Sequence, residues 1–261
     1  MKVACLQLSS NDNYKKSTSQ AISLIKKAIK KNCDLIITPE ATTIISSDVK
    51  DYKKYTYTMN SDPFLKKIKK IALEKKIWIL IGSLFVKYKN KLRNRSVIIN
   101  PSGKISAYYD KINMFDVKLN CKEIYQESKI FEPGKKLKVV NLPWGKLGLS
   151  ICYDLRFPEL YRNLSRKNLN FISVPSAFTK TTGKRHWLTL LRARAIENFC
   201  FIFAPNQIGK NTKKRTTFGS SVIISPDGKI LKIKKKGVGI IFCSINPQES
   251  MELRRVIPSM I

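Results

Sequence analysis

Residues 77–83 read Ile-Trp-Ile-Leu-Ile-Gly-Ser, a continuous apolar run without the polar residue at every second position that a half-exposed strand carries. A strand of that kind has to be covered on both faces, as in the interior of a layered α/β fold. Neighbouring segments supply the cover. Residues 14–31 place Ala21, Leu24, Ile25, Ala28 and Ile29 on one face of a helix, and residues 63–75 do the same with Phe64, Leu65, Ile68, Ile71 and Ala72. Further strands are predicted over 2–8, 35–38, 97–100, 105–109, 171–174, 200–204, 221–225, 229–233 and 239–244, with a helix over 186–198 and a helix-like stretch over 159–164. Pro101-Ser102-Gly103-Lys104 and Pro226-Asp227-Gly228 read as hairpin turns. Two hairpins among strand–helix alternations predict an α/β fold with mixed sheets and outer helices, not a singly wound parallel sheet.

The apolar runs are spread evenly over 261 residues, so one domain covering 1–261 is expected, with 246–261 as a tail beyond the last strand. No run of about eighteen apolar residues is present, and Met1 to Leu8 reads as a first strand rather than a cleavable signal. A soluble cytoplasmic protein is the expectation. Six cysteines (Cys5, Cys33, Cys121, Cys152, Cys200, Cys243) stand singly, and the one histidine is too few for a zinc site. Reduced thiols and no metal follow. The formal charge of +32 raises a nucleic-acid-binding reading, because basic surfaces attract phosphate backbones by counterion release. Against it, the excess is lysine, 39 against 11 arginines, scattered from Lys2 to Lys236, whereas base-reading surfaces favour arginine. Nucleic-acid binding is expected to be weak and non-specific.

The chemistry-bearing segment is Leu147-Gly148-Leu149-Ser150-Ile151-Cys152-Tyr153-Asp154-Leu155-Arg156-Phe157-Pro158-Glu159, a strand-like run that turns polar at the cysteine. A nucleophile would be mounted there; a thiol buried for packing is the competing reading. A cysteine nucleophile needs a base, and His186, beside Trp187, reads as a structural histidine. A carboxylate can replace it, with a lysine to stabilise the developing oxyanion. Glu40 follows the β-branched run Leu35-Ile36-Ile37-Thr38-Pro39, at the strand end where α/β folds build sites, and Lys111 lies among the aromatics of Tyr108-Tyr109-Asp110-Lys111-Ile112-Asn113-Met114-Phe115. Taken singly, each also reads as a surface residue.

In the order Glu40, Lys111, Cys152 they resemble the nitrilase (carbon-nitrogen hydrolase) superfamily, whose members carry a Glu-Lys-Cys triad in this order. The resemblance extends through Pro175-Ser176-Ala177-Phe178-Thr179, Thr182-Gly183, His186-Trp187 and Leu191 to Glu197, and so covers nearly the whole chain. The Cys152 to Arg162 and His186 to Glu197 segments, with Gln126-Glu127-Ser128 and Pro133-Gly134, look like the Nit branch, which includes deaminated glutathione amidases and omega-amidases. One departure is Asn113, where such relatives usually carry histidine.

The resemblance implies a four-layer αββα sandwich, no cofactor, and a homodimer or higher homo-oligomer in which the tail reaches across a partner subunit. It implies a cysteine amidase acting on the terminal carboxamide of a small carboxylate-bearing substrate, deaminated glutathione or a 2-oxo-dicarboxylate monoamide, releasing acid and ammonia through an acyl-enzyme. Glu40 would be the base, Cys152 the nucleophile, Lys111 with the Tyr153 N–H the oxyanion stabiliser, and Glu127 an auxiliary glutamate. Arg156, Thr179, Thr182 and Arg185 are candidates for the substrate carboxylates, with Arg156 alternatively pairing with Asp154 or Glu159. Tyr153 and Phe178 either line the pocket or fill it. Nitrile or N-carbamoyl hydrolysis, and a nucleic-acid-binding protein on a hydrolase scaffold, are the alternatives.

Overall fold

The computed structural model describes residues 1–89, 91–121 and 123–259. Two six-stranded mixed sheets carry the fold. The first runs in the order β16 (Gly239–Ser244), β1 (Lys2–Gln7), β2 (Leu35–Ile37), β3 (Trp78–Tyr88), β4 (Lys91–Ile99), β5 (Ile105–Asp110). The second runs β15 (Ile230–Lys234), β14 (Ser221–Ile224), β11 (Phe201–Ala204), β10 (Phe171–Ser173), β9 (Gly145–Leu149), β8 (Lys138–Leu142). Each has a parallel centre, β1–β2–β3 and β9–β10–β11, flanked by antiparallel strands. Two small hairpins, β6 (Asp116–Lys118) with β7 (Ile124–Gln126) and β12 (Ile208–Lys210) with β13 (Thr216–Phe218), stand apart from the sheets.

The unbroken apolar runs follow from this layering. On β1, Val3 and Cys5 face a core shared with the second sheet, where Leu147, Leu149, Ile172 and Phe203 lie, while Ala4 and Leu6 face α1 (Tyr14–Ile29) and α3 (Pro63–Lys75). Both sides of the strand are apolar, so no alternation survives in the sequence. The cover helices start at side-chain caps: Asn13 accepts from Lys16 N, and Asp62 accepts from Leu65 N with Pro63 in the first turn. Their buried stripe (Ala21, Leu24, Ile25 and Ala28; Phe64, Leu65, Ile68, Ile71 and Ala72) is the one read from periodicity, and truncating one such residue, Ile25→Ala, removes about 2–5 kcal/mol. On the other side, α4 (Pro158–Ser165) and α5 (Lys180–Asn198) cover the second sheet, giving the αββα order. Gly183 lets α5 approach closely, since a Cβ there would meet Phe218 Cγ at 2.4 Å.

Several elements differ from expectation. The strand expected over 97–100 begins at Lys91, because Arg93, Asn94 and Arg95 interrupt the apolar pattern yet are buried in it. The helix expected over 186–198 begins at Lys180, where the Thr179 side chain accepts from Thr182 N. A short helix, α2 (Val49–Tyr55), was not anticipated, its lysines leaving Tyr52 as the one buried residue. The tail over 246–261 contains α6 (Glu249–Val256), which packs on its own chain: the Ser250 hydroxyl donates to Leu169 O and Phe199 O, and Arg254 to Leu169 O and Asn198 O. Its last two residues lie outside the described ones. Among the described residues, no helix is long and apolar enough to cross a membrane.

Candidate active site

Glu40, Lys111 and Cys152 converge from three strand ends on one cavity of ≈ 340 Å³. Glu40 follows β2. Gly82 on β3 makes its approach possible, since a Cβ there would lie 1.9 Å from Thr38 O. The Gly82 N–H donates to Thr38 Oγ1 and the Ala41 N–H to Ser83 Oγ, so the turn around Glu40 is tied to β3 on both sides. Lys111 follows β5 and is held by its N–H to Asn94 O and its carbonyl to Gly134 N. Cys152 follows β9, its N–H donating to Pro175 O at 3.0 Å, in a left-handed conformation with φ 48°. A side chain there is strained, and such strain concentrates at functional turns.

Asp154 braces that turn. Its buried carboxylate accepts from Tyr109 Oη (2.7 Å), Ile151 N (2.9 Å), Asn113 N (3.0 Å) and Asn113 Nδ2 (2.9 Å). One carboxylate thus joins the lysine segment to the cysteine segment. Asn113, the departure in the sequence, belongs to this brace and does not line the cavity.

The triad is electrically closed. Lys111 Nζ donates to Glu40 Oε1 at 2.9 Å and to Glu127 Oε2 at 2.7 Å. Asn94 Nδ2 bridges the same two glutamates at 3.0 Å each, and Glu127 Oε2 also accepts from Phe115 N. Ala177 N donates to Glu40 Oε2 at 2.8 Å. Burial raises the Glu40 carboxyl, but the charges of Lys111 and Arg215 and the donors around it outweigh this and hold it below the ordinary carboxylate range. Burial, reinforced by the Glu40 charge, pushes the Cys152 thiol well above the usual thiol value. Burial alone would lower Lys111, but Glu127 and Glu40 carry it above the ordinary lysine value. The resting set is a thiol beside a carboxylate and an ammonium. An ammonium has three donors, so Lys111 has one left for an oxygen in the cavity.

The wall matches most of the sequence candidates. Tyr153, Arg156, Phe178, Thr179 and Thr182 all line the cavity with Glu127. Tyr153 packs edge-on to Phe115 and Phe157, Phe178 lies 5.0 Å from Trp187, and the Thr179 and Thr182 hydroxyls bond each other at 2.8 Å. Arg156 pairs with neither Asp154 nor Glu159: its Nη1 and Nη2 lie 3.3 Å from His186 Nδ1, and its guanidinium stands over the rings of Phe178 and Tyr153. Burial, then the charges of Arg156 and Arg185, lower His186, so the imidazole is neutral and accepts from Arg156. Arg185 is a correction. It is exposed and does not line the cavity, because at roughly 100° per residue it lies opposite Gly183 and Trp187, which face inward.

Asn94 and Arg215 were not found by sequence reasoning. Asn94 had a signal, a polar triplet inside an apolar strand; Arg215, on the loop between β12 and β13, had none among so many cations. Among the described residues, no group of three or more His, Cys, Asp and Glu side chains is placed to hold a metal ion.

A buried carboxylate–ammonium–thiol set at the strand ends of two stacked mixed sheets is consistent with a hydrolase of the nitrilase type. The carbon-nitrogen hydrolase model matches residues 2–255, and the chain belongs to that family. It is 35% identical to a deaminated glutathione amidase of Yersinia enterocolitica, over 98% of this chain and 90% of that protein. Among solved structures it resembles Caenorhabditis elegans NitFhit (TM-score 0.91, 32% identity, 98% of this chain), spanning 63% of that longer chain. It also resembles Saccharomyces cerevisiae Nit3, a member of branch 10 of the nitrilase superfamily (TM-score 0.88, 27% identity, 99% and 94% covered). The chain is therefore a Nit-branch carbon-nitrogen hydrolase.

Proposed function

We propose that this hydrolase is a cysteine amidase whose substrate is deaminated glutathione or a 2-oxo-dicarboxylate monoamide, with Cys152 as nucleophile. The observation that carries the reading is the buried contact set Glu40–Lys111–Cys152 opening on one cavity. The name borne by the Yersinia relative supports the substrate class.

Glu40 takes the thiol proton as Sγ attacks the amide carbon, forming the S–C bond. A protonated thiol needs such a base, and Glu40 is ionised and faces it. The third donor of Lys111 and the N–H of Tyr153 receive the oxyanion; losing a donor of this kind costs on the order of a hundredfold in rate. Collapse breaks the C–N bond, and Glu40 returns the proton to the leaving nitrogen. That group is ammonia from a monoamide, as expected from the sequence; deaminated glutathione carries a secondary amide rather than a terminal carboxamide, so its leaving group is the amine of cysteinylglycine instead of ammonia. Water, deprotonated by Glu40, then attacks the thioester, and the sulfur leaves with its proton restored. Glu127 and Asn94 hold Lys111 and Glu40 through both half-reactions. Arg156 has no carboxylate partner among the described residues and is the cation offered to an anionic substrate, with Thr179, Thr182, Tyr153 and Phe178 shaping the wall.

The proposal includes one domain over 1–261 acting as a homodimer or higher homo-oligomer in the cytoplasm. The exposed apolar Val256 and Ile257, at the end of α6, support association. Nucleic acid is at most a weak, non-specific partner. Intact-mass analysis during turnover tests the chemistry: an acyl adduct on Cys152 from deaminated glutathione or a 2-oxo monoamide is expected. Equal turnover of neutral aliphatic amides would reject the substrate class, and preferred turnover of nitriles or N-carbamoyl compounds would favour the alternative reaction.

A further inference from the structure

The Glu40 carboxylate is gripped at both oxygens, and the two grips differ. Oε1 accepts from Lys111 and Asn94. Oε2 accepts from the Ala177 N–H at 2.8 Å, and the carbonyl of the same residue accepts from Arg215 Nη2 at 2.7 Å. Arg215 lines the cavity, makes no ion pair among the described residues, has its Nε buried without a hydrogen-bond partner, and sits 5.5 Å from the Tyr125 ring. A guanidinium held at a catalytic cavity with a backbone carbonyl as its hydrogen-bond partner is placed to act through that backbone.

We propose that Arg215 is a positioning residue for Glu40: by holding the Ala177 carbonyl it fixes the residue whose N–H grips Oε2, and so keeps the carboxylate between Lys111 and the Cys152 thiol. The inference rests on the reading that Glu40 takes the thiol proton. The Ala177 N–H also faces the thiol, so a shift of this residue would disturb both partners of the proton transfer. The charged and titratable groups facing Glu40 are Lys111 after β5, Glu127 through Asn94, Tyr52 of α2, Cys152, and Arg215. Burial pushes the Glu40 carboxyl up, and after Lys111 the Arg215 charge is the next influence holding it down. Neutralising Arg215 therefore moves that carboxyl upward, both through the lost charge and through any loosening of the Ala177 N–H on Oε2.

The test needs no substrate. Alkylation of Cys152 by iodoacetamide is followed by peptide-resolved mass spectrometry across an acid-to-neutral pH series in wild type, Arg215→Gln, Arg215→Lys and Glu40→Gln. The expected result for Arg215→Gln is an acid limb displaced upward by about one pH unit, so that alkylation on the limb slows about tenfold. Arg215→Lys keeps the charge but not the planar fork, so its limb stays near wild type while its plateau rate falls several-fold, on the order expected for a misplaced base. An Arg215→Gln limb that coincides with wild type overturns the proposal. So does an Arg215→Lys variant indistinguishable from wild type in both limb and plateau, which keeps the question decidable if the glutamine variant does not fold. If Glu40→Gln leaves rate and limb unchanged, the base assignment itself fails and this proposal with it; a limb that vanishes in Glu40→Gln but stays put in Arg215→Gln refutes the role of Arg215 alone. In a parallel steady-state assay of Arg215→Gln, a rise in KM confined to carboxylate-bearing amides, with an unmoved alkylation limb, would overturn the proposal and make Arg215 a substrate contact.

Discussion

Replacing Lys111 with methionine preserves length and apolar stem but removes the ammonium shared by Glu40 and Glu127, at 2.9 and 2.7 Å in a buried setting. Removing one partner of a buried ion pair costs about 3–5 kcal/mol, because the other charge is left uncompensated. For a chain of this size that lowers the unfolding midpoint by roughly 6–20 °C. The pH dependence carries more information than the drop. In the wild type the Glu40 carboxyl lies below its unfolded value, so its contribution is present above about pH 4.3 and is lost as pH falls through the folded value. In the variant, burial acts without the ammonium and raises that carboxyl, so the folded state binds more protons than the unfolded one and stability declines as pH rises through the carboxyl range. The gap between the two proteins should widen from about pH 4 to pH 7, as measured by thermal unfolding in matched buffers. Turnover should fall at least a hundredfold, on the order of a lost oxyanion donor, with KM changed far less. A gap that is constant with pH, or a loss confined to KM, would refute the assignment of Lys111 as the shared cation of the triad.

Cys152→Ala and Cys152→Gly should both abolish turnover, but the glycine variant should be the more stable by roughly 1 kcal/mol, since φ 48° strains any β-carbon; equal midpoints would remove the strain. Asp154→Ala leaves Tyr109 Oη, Ile151 N and both Asn113 donors without their acceptor, and should cost about 3 kcal/mol or more in denaturant titration while reducing turnover; an unaffected kcat would show that the brace does not position Cys152. Arg156→Met should raise KM for carboxylate-bearing amides about tenfold or more and leave neutral amides nearly unchanged, with parallel increases counting against recognition. Binding to duplex DNA should weaken steeply between roughly 50 and 200 mM salt without altering amidase rates; tight, sequence-selective binding at the higher salt would overturn the reading of the lysines as a solvated surface.

The parts of this site that could be read from the chain are those whose chemistry leaves a local trace. Cys152 stands where an apolar strand turns polar, and Glu40 follows a β-branched run closed by proline, so both announce a strand end. Arg185 misled because it is a cation in the same segment as Thr179 and Thr182, and closeness in sequence does not say which side of a helix a residue occupies; the packing of Gly183 and Trp187 turned it outward. Asn94 left one trace, the polar triplet it forms with Arg93 and Arg95, but buried charged residues also break the apolar pattern by which a strand is recognised.

By itself, the sequence determined the layered α/β class and the two cover helices, because periodicity is a local property of a chain; Glu40, Lys111 and Cys152 stood out as a set only through the family resemblance, since taken singly Glu40 and Lys111 also read as surface residues and Cys152 as a thiol buried for packing. Only the tertiary structure decided that Glu40 accepts from residues as distant as Lys111 and Ala177, that Asp154 joins the lysine and cysteine segments, and that Arg215 rather than Arg185 reaches the cavity. Glu40 and Lys111 both follow strands of the first sheet, but the contacts of Glu40 with Ala177 and of Asp154 with Tyr109 and Asn113 cross from one sheet to the other. Their geometry depends on how the shared core sets the sheets together, and that packing brings together strand ends whose distance in space is not written in the spacing of residues along the chain.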